Sequence, residues 1–327
     1  MSKNILITGV SGFIGKHVAR ELLLKKYDLT VMIRPKTEPK RISEFKNHVN
    51  FVEIDLTDID GLRSYLKEHS FDTILHIGAI RGGRKFSKKK YFDANVNATE
   101  QLIINAQTNN SRFIFCSSVG VFGAIPDELP ANNSTLKKND NYYHYTKIQS
   151  EALIQKYVLY DLNAVIVRPA ITYGSGDFGF PFTLVKLVDK NLMFLPNNET
   201  IIHLTNIELL VMAFTKLIEF NYKPGIQYIV ADKNPVNLHE LVNFICKELK
   251  NKTYSDKKSI SEKFFKHGEK IARCLKNELW TSRFELISKS WYYDVSKVYK
   301  ELSLQPVSTI PNFKIVTNWY KQLKEKK

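Results

Sequence analysis

Cysteine is scarce: the 327 residues hold three, Cys116, Cys246 and Cys274, far apart and odd in number. A disulfide framework and a four-thiolate zinc site are thereby excluded, and a reducing cytoplasm is the expected compartment. The eight histidines are scattered without zinc-ligand spacing, so no metal site is expected. No stretch stays apolar for the ~18 residues that a membrane span requires. The opening MSKNILITGVSGFIG is apolar only briefly and lacks the small-residue cleavage site of a secretory signal, so no membrane partner is expected. Acidic residues are outnumbered, 33 against 48 basic, for a formal net charge of +15. That field favours anionic ligands. The basic residues are spread over RPKTEPKR (34–41), RKFSKKK (84–90), YSDKKSISEKFFKHGEK (254–270) and the final KQLKEKK. Without an aromatic-interleaved strip they point to solvated faces and a basic rim for a phosphorylated substrate, and not to nucleic acid.

What is present is the composition of a folded chain, 43% hydrophobic and 25% charged. Strand-like bursts at 4–9, 29–34, 49–55, 73–79, 112–118 and 164–169 alternate with helical patterns such as His17, Val18, Leu22 and Val96, Leu102, Ile103, Ala106. This rhythm predicts an α/β fold, a Rossmann-type doubly wound parallel sheet with a smaller C-terminal substrate-binding lobe. The expected division is a dinucleotide-binding domain over 1–169, to which a segment around 203–235 returns, and a mainly substrate-binding lobe over 170–327. In that second half, helices are expected at 183–194, 207–220 and 238–249, a strand at 226–231, and a lysine-rich stretch near 250–270.

Gly9, Gly12 and Gly15 lie in TGVSGFIGKHVARELL (8–23), directly after a strand-like burst and before a helical pattern. Glycines let the backbone turn tightly and approach a pyrophosphate, while the helix start offers free amide hydrogens and a favourable dipole. Phe13 and Ile14 share this turn and belong to the expected cofactor-binding set, with core packing as their other reading. At the end of the second strand, where a carboxylate would hold the ribose hydroxyls of NAD, stands Arg34. An arginine suits the extra ribose phosphate of NADP, so NADP is the expected cofactor, with NAD possible. Asp55 and Leu56 end the third strand in a place suited to adenine edges; a cap or loop role is the alternative for Asp55.

Tyr143 and Lys147 sit in YYHYTKIQSEAL (142–153), four apart and therefore on one helix face. A nearby ammonium stabilises phenolate and brings a tyrosine toward use as an acid/base. Ser118 follows the strand RFIFC (112–116), where it presents a hydroxyl at the carboxyl edge of the sheet. Together they describe oxidoreduction at an alcohol: Ser118 holds the oxygen, Tyr143 moves its proton and nicotinamide carries hydride.

These residues resemble the extended short-chain dehydrogenase/reductase superfamily, in its NAD-dependent epimerase/dehydratase branch of nucleotide-sugar enzymes. The likeness runs through GVSGFIG (9–15), Asp55 with Leu56, HIGA (76–79), NVNAT (95–99), FCSSVGVFG (115–123), YHYTK (143–147), RPAITYGSGD (168–177) and DVSKVYKELSLQP (294–306). It implies Ser118, Tyr143 and Lys147 as the catalytic set, Asn95 positioning that set, and Ala79 and Pro169 among the cofactor contacts. From its own chemistry Asn95 serves equally as a cap or backbone bridge. The branch's dehydratases carry an acidic pair beside the serine; here stand Val119 and Gly120, which disfavours 4,6-dehydration. Ile171 stands where the epimerases carry an asparagine for diphosphate contact, Glu199 where they carry an arginine before the isoleucine–histidine element, and Asn206 where they carry an aspartate three residues beyond that histidine, so the resemblance implies an incomplete diphosphate grip with Arg273 or Arg283 as the candidate for the missing charge. His203 reads as a packing or hydrogen-bonding residue.

The expected function is therefore an NADPH-dependent 4-ketoreductase or a 4-epimerase of a nucleotide-linked sugar. The alternatives are reduction of a non-nucleotide ketone, resembling dihydroflavonol or steroid dehydrogenase relatives, and a non-catalytic dinucleotide-binding protein. A homodimer through helices around 95–108 and 144–158 is implied by the resemblance.

Overall fold

The computed structural model describes residues 3–326. Along the chain run strands β1 (Asn4–Thr8), β2 (Asp28–Ile33), β3 (Asn50–Glu53), β4 (Thr73–His76), β5 (Arg112–Cys116), β6 (Ala164–Pro169) and β7 (Ile226–Val230). The helices of eight or more residues are α1 (Phe13–Leu24), α2 (Ile59–Glu68), α3 (Ala98–Thr108), α4 (Tyr142–Val158), α5 (Phe180–Asp189), α6 (Ile207–Glu219), α7 (Leu238–Lys250), α8 (Glu262–Cys274), α9 (Glu278–Ser288) and α10 (Lys314–Glu325).

Among the described residues the strands form one seven-stranded sheet ordered β7-β6-β5-β4-β1-β2-β3. The pairings β1 with β2 and with β4, β2 with β3, β4 with β5, and β5 with β6 are all parallel. Strands covered on both faces must be apolar throughout, and β4 and β6 are buried at every position. The crossovers are amphipathic: α1 buries Gly15, Val18, Ala19 and Leu22, one face of a 3.6-residue period. Helix α2 buries Leu62 and Leu66 behind an Asp58 cap whose carboxylate accepts from Gly61 N at 3.0 Å. One core cluster includes Leu6, Leu62, Leu102, Phe113, Phe115, Ile154 and Ile166. This is the Rossmann-type doubly wound sheet that the alternating pattern predicts.

The chain divides into two compact units, one of Met1–Val121, Lys137–Pro169 and Leu210–Tyr228, the other of Phe122–Leu136, Ala170–Leu209 and Ile229–Lys327. The second unit is built from helices and two-stranded pairs, among them Ile171–Tyr173 with Leu204–Asn206 and Ile201–Ile202 with Val236–Asn237. At its centre the Asp232 carboxylate accepts from the Tyr173 hydroxyl at 2.7 Å, the Thr309 hydroxyl at 2.6 Å and Asn206 N at 2.7 Å. His203 is buried there, its Nε2 donating to Asp232 O at 2.7 Å and its Nδ1 accepting from Tyr293 N at 3.2 Å. No helix among the described residues is long and apolar enough to cross a membrane.

Candidate active site

The sheet order reverses between β1 and β4, and open α/β sheets bind ligands at such a point. Two backbones meet there. Gly9 has φ +84°, and a Cβ on it would lie 2.7 Å from Gly78 N. A Cβ on Gly15 would collide with Gly9 O, so the first turn of α1 is folded against the end of β1. Gly12 caps α1 without a side-chain hydrogen bond, which leaves the helix's first amides directed outward. A cradle closed to side chains and opening on a helix N-terminus fits a pyrophosphate. Phe13 and Ile14 are half-buried in this turn, and the Phe13 ring meets His17 edge-on at 5.3 Å.

Arg34 is exposed just beyond β2, and its guanidinium makes no ion pair among the described residues. Lys40 and Arg41, by contrast, both face Glu38, at 3.4 and 3.5 Å. In the same turn Thr37 N donates to Arg34 O at 2.9 Å, while the buried Thr37 hydroxyl has no hydrogen-bond partner. Asp55 spends one carboxylate oxygen on a local turn, accepting from Thr57 N and Thr57 Oγ1, both at 2.9 Å. Leu56 lies against Gly78, whose Cβ would stand 3.1 Å from Leu56 Cδ1. Ala79 is half-buried beyond β4, and Pro169 is buried at the end of β6.

The structure brings Ser118, Tyr143 and Lys147 together at the carboxyl end of β5. Lys147 is buried, its ammonium donating to Cys116 O at 2.7 Å and standing 4.5 Å from the centre of the Phe115 ring. Burial lowers its pKa to about 8, opposed by the Cys116 and Glu151 charges. Burial also raises the Tyr143 phenol well above its ordinary range, and a hydrogen bond with Ser118 and the Arg81 charge oppose that rise. Ser118 Oγ accepts from Gly120 N at 3.0 Å, which fixes the hydroxyl's direction and leaves its proton to donate. Tyr142 faces away, its ring 5.3 Å from Tyr145 and 6.0 Å from Tyr91.

Asn95 is buried in a π-helical turn, Asp93–Asn97, just before α3. Its amide accepts from Ile80 N at 2.7 Å and donates to Ile80 O and to Thr146 Oγ1, both at 2.9 Å. That side chain is wholly engaged in holding the segment after β4 to α4.

Several residues of the site escape motif reading because their role is buried. Gly78 N donates to Thr8 Oγ1 at 2.9 Å, and Thr8 Oγ1 meets His76 Nδ1 at 2.7 Å. His76 Nε2 meets Thr99 Oγ1 at 3.0 Å, which donates to Asn95 O at 2.6 Å. Since Thr99 gives its proton to a carbonyl, it accepts from His76, and the histidine is protonated on Nε2. Beneath Ser118, Glu151 and Arg168 form a fully buried bidentate pair at 2.8 and 2.7 Å, joined by Ser117 Oγ at 2.6 Å and Lys137 at 2.9 Å. The available signal was α4 itself, whose buried residues Thr146, Lys147, Ser150 and Glu151 are polar where a core helix would be apolar.

At two positions that depart from the family pattern, Glu199 accepts from Asn237 Nδ2 at 3.2 Å and Asn206 Oδ1 accepts from Glu208 N at 2.7 Å. Arg273 is held by Glu269 at 2.9 Å and Glu285 at 2.6 Å, whereas Arg283 rests on the Trp280 ring at 5.0 Å. No group of three or more potential metal-ligating side chains occurs among the described residues.

In sequence, UDP-glucose 4-epimerase 2 of Arabidopsis thaliana is 26% identical over 211 residues, 58% of this chain and 60% of that protein. The UDP-glucose 4-epimerase of Caenorhabditis elegans is 31% identical over 169 residues, 46% of this chain and 48% of that protein. The chain thus matches three fifths or less of the length of these relatives. In structure it resembles the protein gox2253, with a TM-score of 0.80 at 21% identity over 98% of this chain and 99% of that one. A UDP-glucuronic acid 4-epimerase from Bacillus cereus in complex with NAD follows the same fold, with a TM-score of 0.75 at 20% identity over 98% and 99% of the two chains. The family model of the NAD dependent epimerase/dehydratase family matches residues 5–191, more than half of the chain, and the protein belongs to that family.

Proposed function

We propose that the protein is an NADP-dependent oxidoreductase of a nucleotide-linked sugar, acting as a 4-ketoreductase or a 4-epimerase through Ser118, Tyr143 and Lys147. The observation that carries this reading is the Tyr143 phenol within reach of Ser118, with a buried Lys147 ammonium one turn along the same helix, at the sheet end where the glycine cradle lies. The cradle of Gly9, Gly12 and Gly15 with the α1 amides suits the pyrophosphate, and the unpaired Arg34 beside the orphan Thr37 hydroxyl suits a ribose phosphate. When bound, the nicotinamide supplies or accepts the hydride.

The residues do the rest. Ser118 donates to the oxygen of the reacting carbinol or carbonyl. Tyr143, whose burial keeps its proton in place, gives that proton to the ketone oxygen during reduction and takes it back during oxidation. Lys147 stabilises the phenolate that forms, by a charge held in a low-dielectric pocket. Asn95 fixes α4 relative to the segment after β4. An epimerase would use the same groups twice, on opposite faces of the sugar.

A specific observation supports a second reading, reduction of a phosphate-free ketone: Glu199, Asn206 and Ile171 offer no cation, and Arg273 is already held by two carboxylates. The deciding assay is NADPH and NADH consumption against nucleotide-linked 4-keto sugars and free ketones. Stoichiometric NADPH loss with a nucleotide-linked ketone supports the first reading, and turnover of free ketones alone supports the second. Epimerisation of nucleotide hexoses without net cofactor change would select the epimerase.

A further inference from the structure

His144 follows Tyr143 on the first turn of α4, and the mechanism above does not use it. Its imidazole lies over Gly120: a Cβ at that position would collide with His144 Nε2. Gly120 is the residue whose amide donates to Ser118 Oγ at 3.0 Å, so the Nε2 edge of the ring adjoins the serine turn. The ring also stands 5.7 Å from that of Tyr143. At its other edge Nδ1 is hydrogen-bonded to the Asp140 carboxylate, which directs a proton onto Nδ1 and leaves the Nε2 lone pair on the side of Gly120. Asn141 reinforces the placement of the helix start, its Oδ1 accepting from His144 N at 2.9 Å. The His144 side chain keeps 13% of its surface open, so it is reachable.

An imidazole oriented by a carboxylate, with its free nitrogen beside a carbonyl-binding serine, is the arrangement of a general base. We infer that His144, oriented by Asp140, is a second acid/base of this site and transfers a proton at the carbon next to the substrate carbonyl. With a nucleotide-linked keto sugar as substrate, the reading on which this assignment rests, the step balances without a further reactant. The α C–H bond breaks, its proton goes to His144 Nε2, and its electron pair forms the C=C bond of an enolate. The oxygen of that enolate is held by Ser118 and Tyr143, and the same proton, or one exchanged with water, returns to carbon from the imidazolium. The protein would then exchange, and on a suitable sugar invert, a carbon beside the carbonyl as well as the carbinol carbon itself.

The test uses the full-length protein with NADP+ and UDP- or dTDP-linked 4-keto-6-deoxyhexose in deuterated water, where no hydride is available and the ketone persists. Deuterium entering the ring carbon beside the carbonyl is followed by mass and proton NMR. Wild type is expected to exchange well above the enzyme-free rate, and His144→Gln to lose about 100-fold of that exchange. Asp140→Asn, which keeps the imidazole, should lose part of it. In nitrogen-labelled protein the His144 Nε2 resonance should move on addition of the keto sugar. Equal exchange in His144→Gln, or no exchange by a wild type that reduces the same ketone with NADPH, overturns the assignment alone. A ketone neither reduced nor exchanged overturns the nucleotide-sugar reading, and the assignment falls with it.

Discussion

Charge and proton placement at single residues decide what this site can do. Tyr143→Phe removes the transferable proton while leaving the glycine cradle untouched. Turnover should fall about 10²–10⁴-fold with cofactor affinity nearly unchanged, and near-wild-type turnover would contradict the acid/base role. Arg34→Ala should weaken NADPH about tenfold or more and leave NADH close to its original affinity, as read by nucleotide fluorescence titration. Equal losses for both would remove the phosphate-pairing argument. His76 gives a test in stability. Its folded pKa is lowered by burial to about 3, so below the ordinary histidine value the unfolded chain takes up a proton that the folded chain refuses. The stability it contributes is present above pH ~6.5 and is lost progressively as pH falls toward 3. His203, lowered to about 4, acts in the same direction, whereas Asp232, raised by burial to about 6, gains a proton on folding and opposes them. Comparing wild type with His76→Gln cancels the other two groups. The gap in unfolding free energy should narrow by about 2 kcal/mol between pH 6.5 and pH 5 in urea titrations, and a constant gap would contradict a neutral buried His76.

Helix α4 carries both the proposed Tyr143 and Lys147 pair and the buried charges that support it. Lys147 and Glu151 are one turn apart, and Glu151 is neutralised by Arg168 and Lys137 while holding Ser117. Removing one member of a fully buried pair strands the other, so Glu151→Ala should cost about 3–5 kcal/mol, checked by chemical unfolding; a loss under about 1 kcal/mol would mean that Arg168 finds another partner. The strands of the sheet were legible in the sequence, because buried parallel strands are continuous apolar bursts, and so was the helix that carries both Tyr143 and Lys147. The buried hydrogen bonds through Thr8, His76 and Thr99 were not, since polar residues inside a sheet carry no period of their own. Helix α5 begins at Phe180 and ends at Asp189, earlier than the expected 183–194. Pro181 is favoured in a first turn, which moves the start back, and Asn191 at φ +59° stops the helix. Helix α8 begins within the lysine-rich stretch near 250–270 and α9 follows it, neither being among the expected elements, and Arg273 and Lys289 tie Glu269 and Glu285 together across the two helices.

The whole molecule adds a field and a surface to this centre. A net charge of +15 raises the local concentration of an anionic substrate, so kcat/KM for a nucleotide-linked sugar should fall with added salt while that for a neutral ketone changes little. For association between copies, Leu153 and Tyr157 pack on the core of their own unit, whereas Ile104, Leu159 and Tyr160 are exposed at 40%, 81% and 63%. We expect these exposed groups at α3 and after α4 to support a homodimer. Sedimentation velocity should show a species of twice the chain mass that Leu159→Glu dissociates, and a wild-type monomer would contradict it. The most direct single test of the central claim is transfer of label from NADPH deuterated at the nicotinamide C4 position to a nucleotide-linked 4-keto sugar. The proposed site predicts a product alcohol carrying one deuterium on the former carbonyl carbon, formed by wild type and not by Tyr143→Phe. An unlabelled product, or equal labelling by Tyr143→Phe, would contradict it.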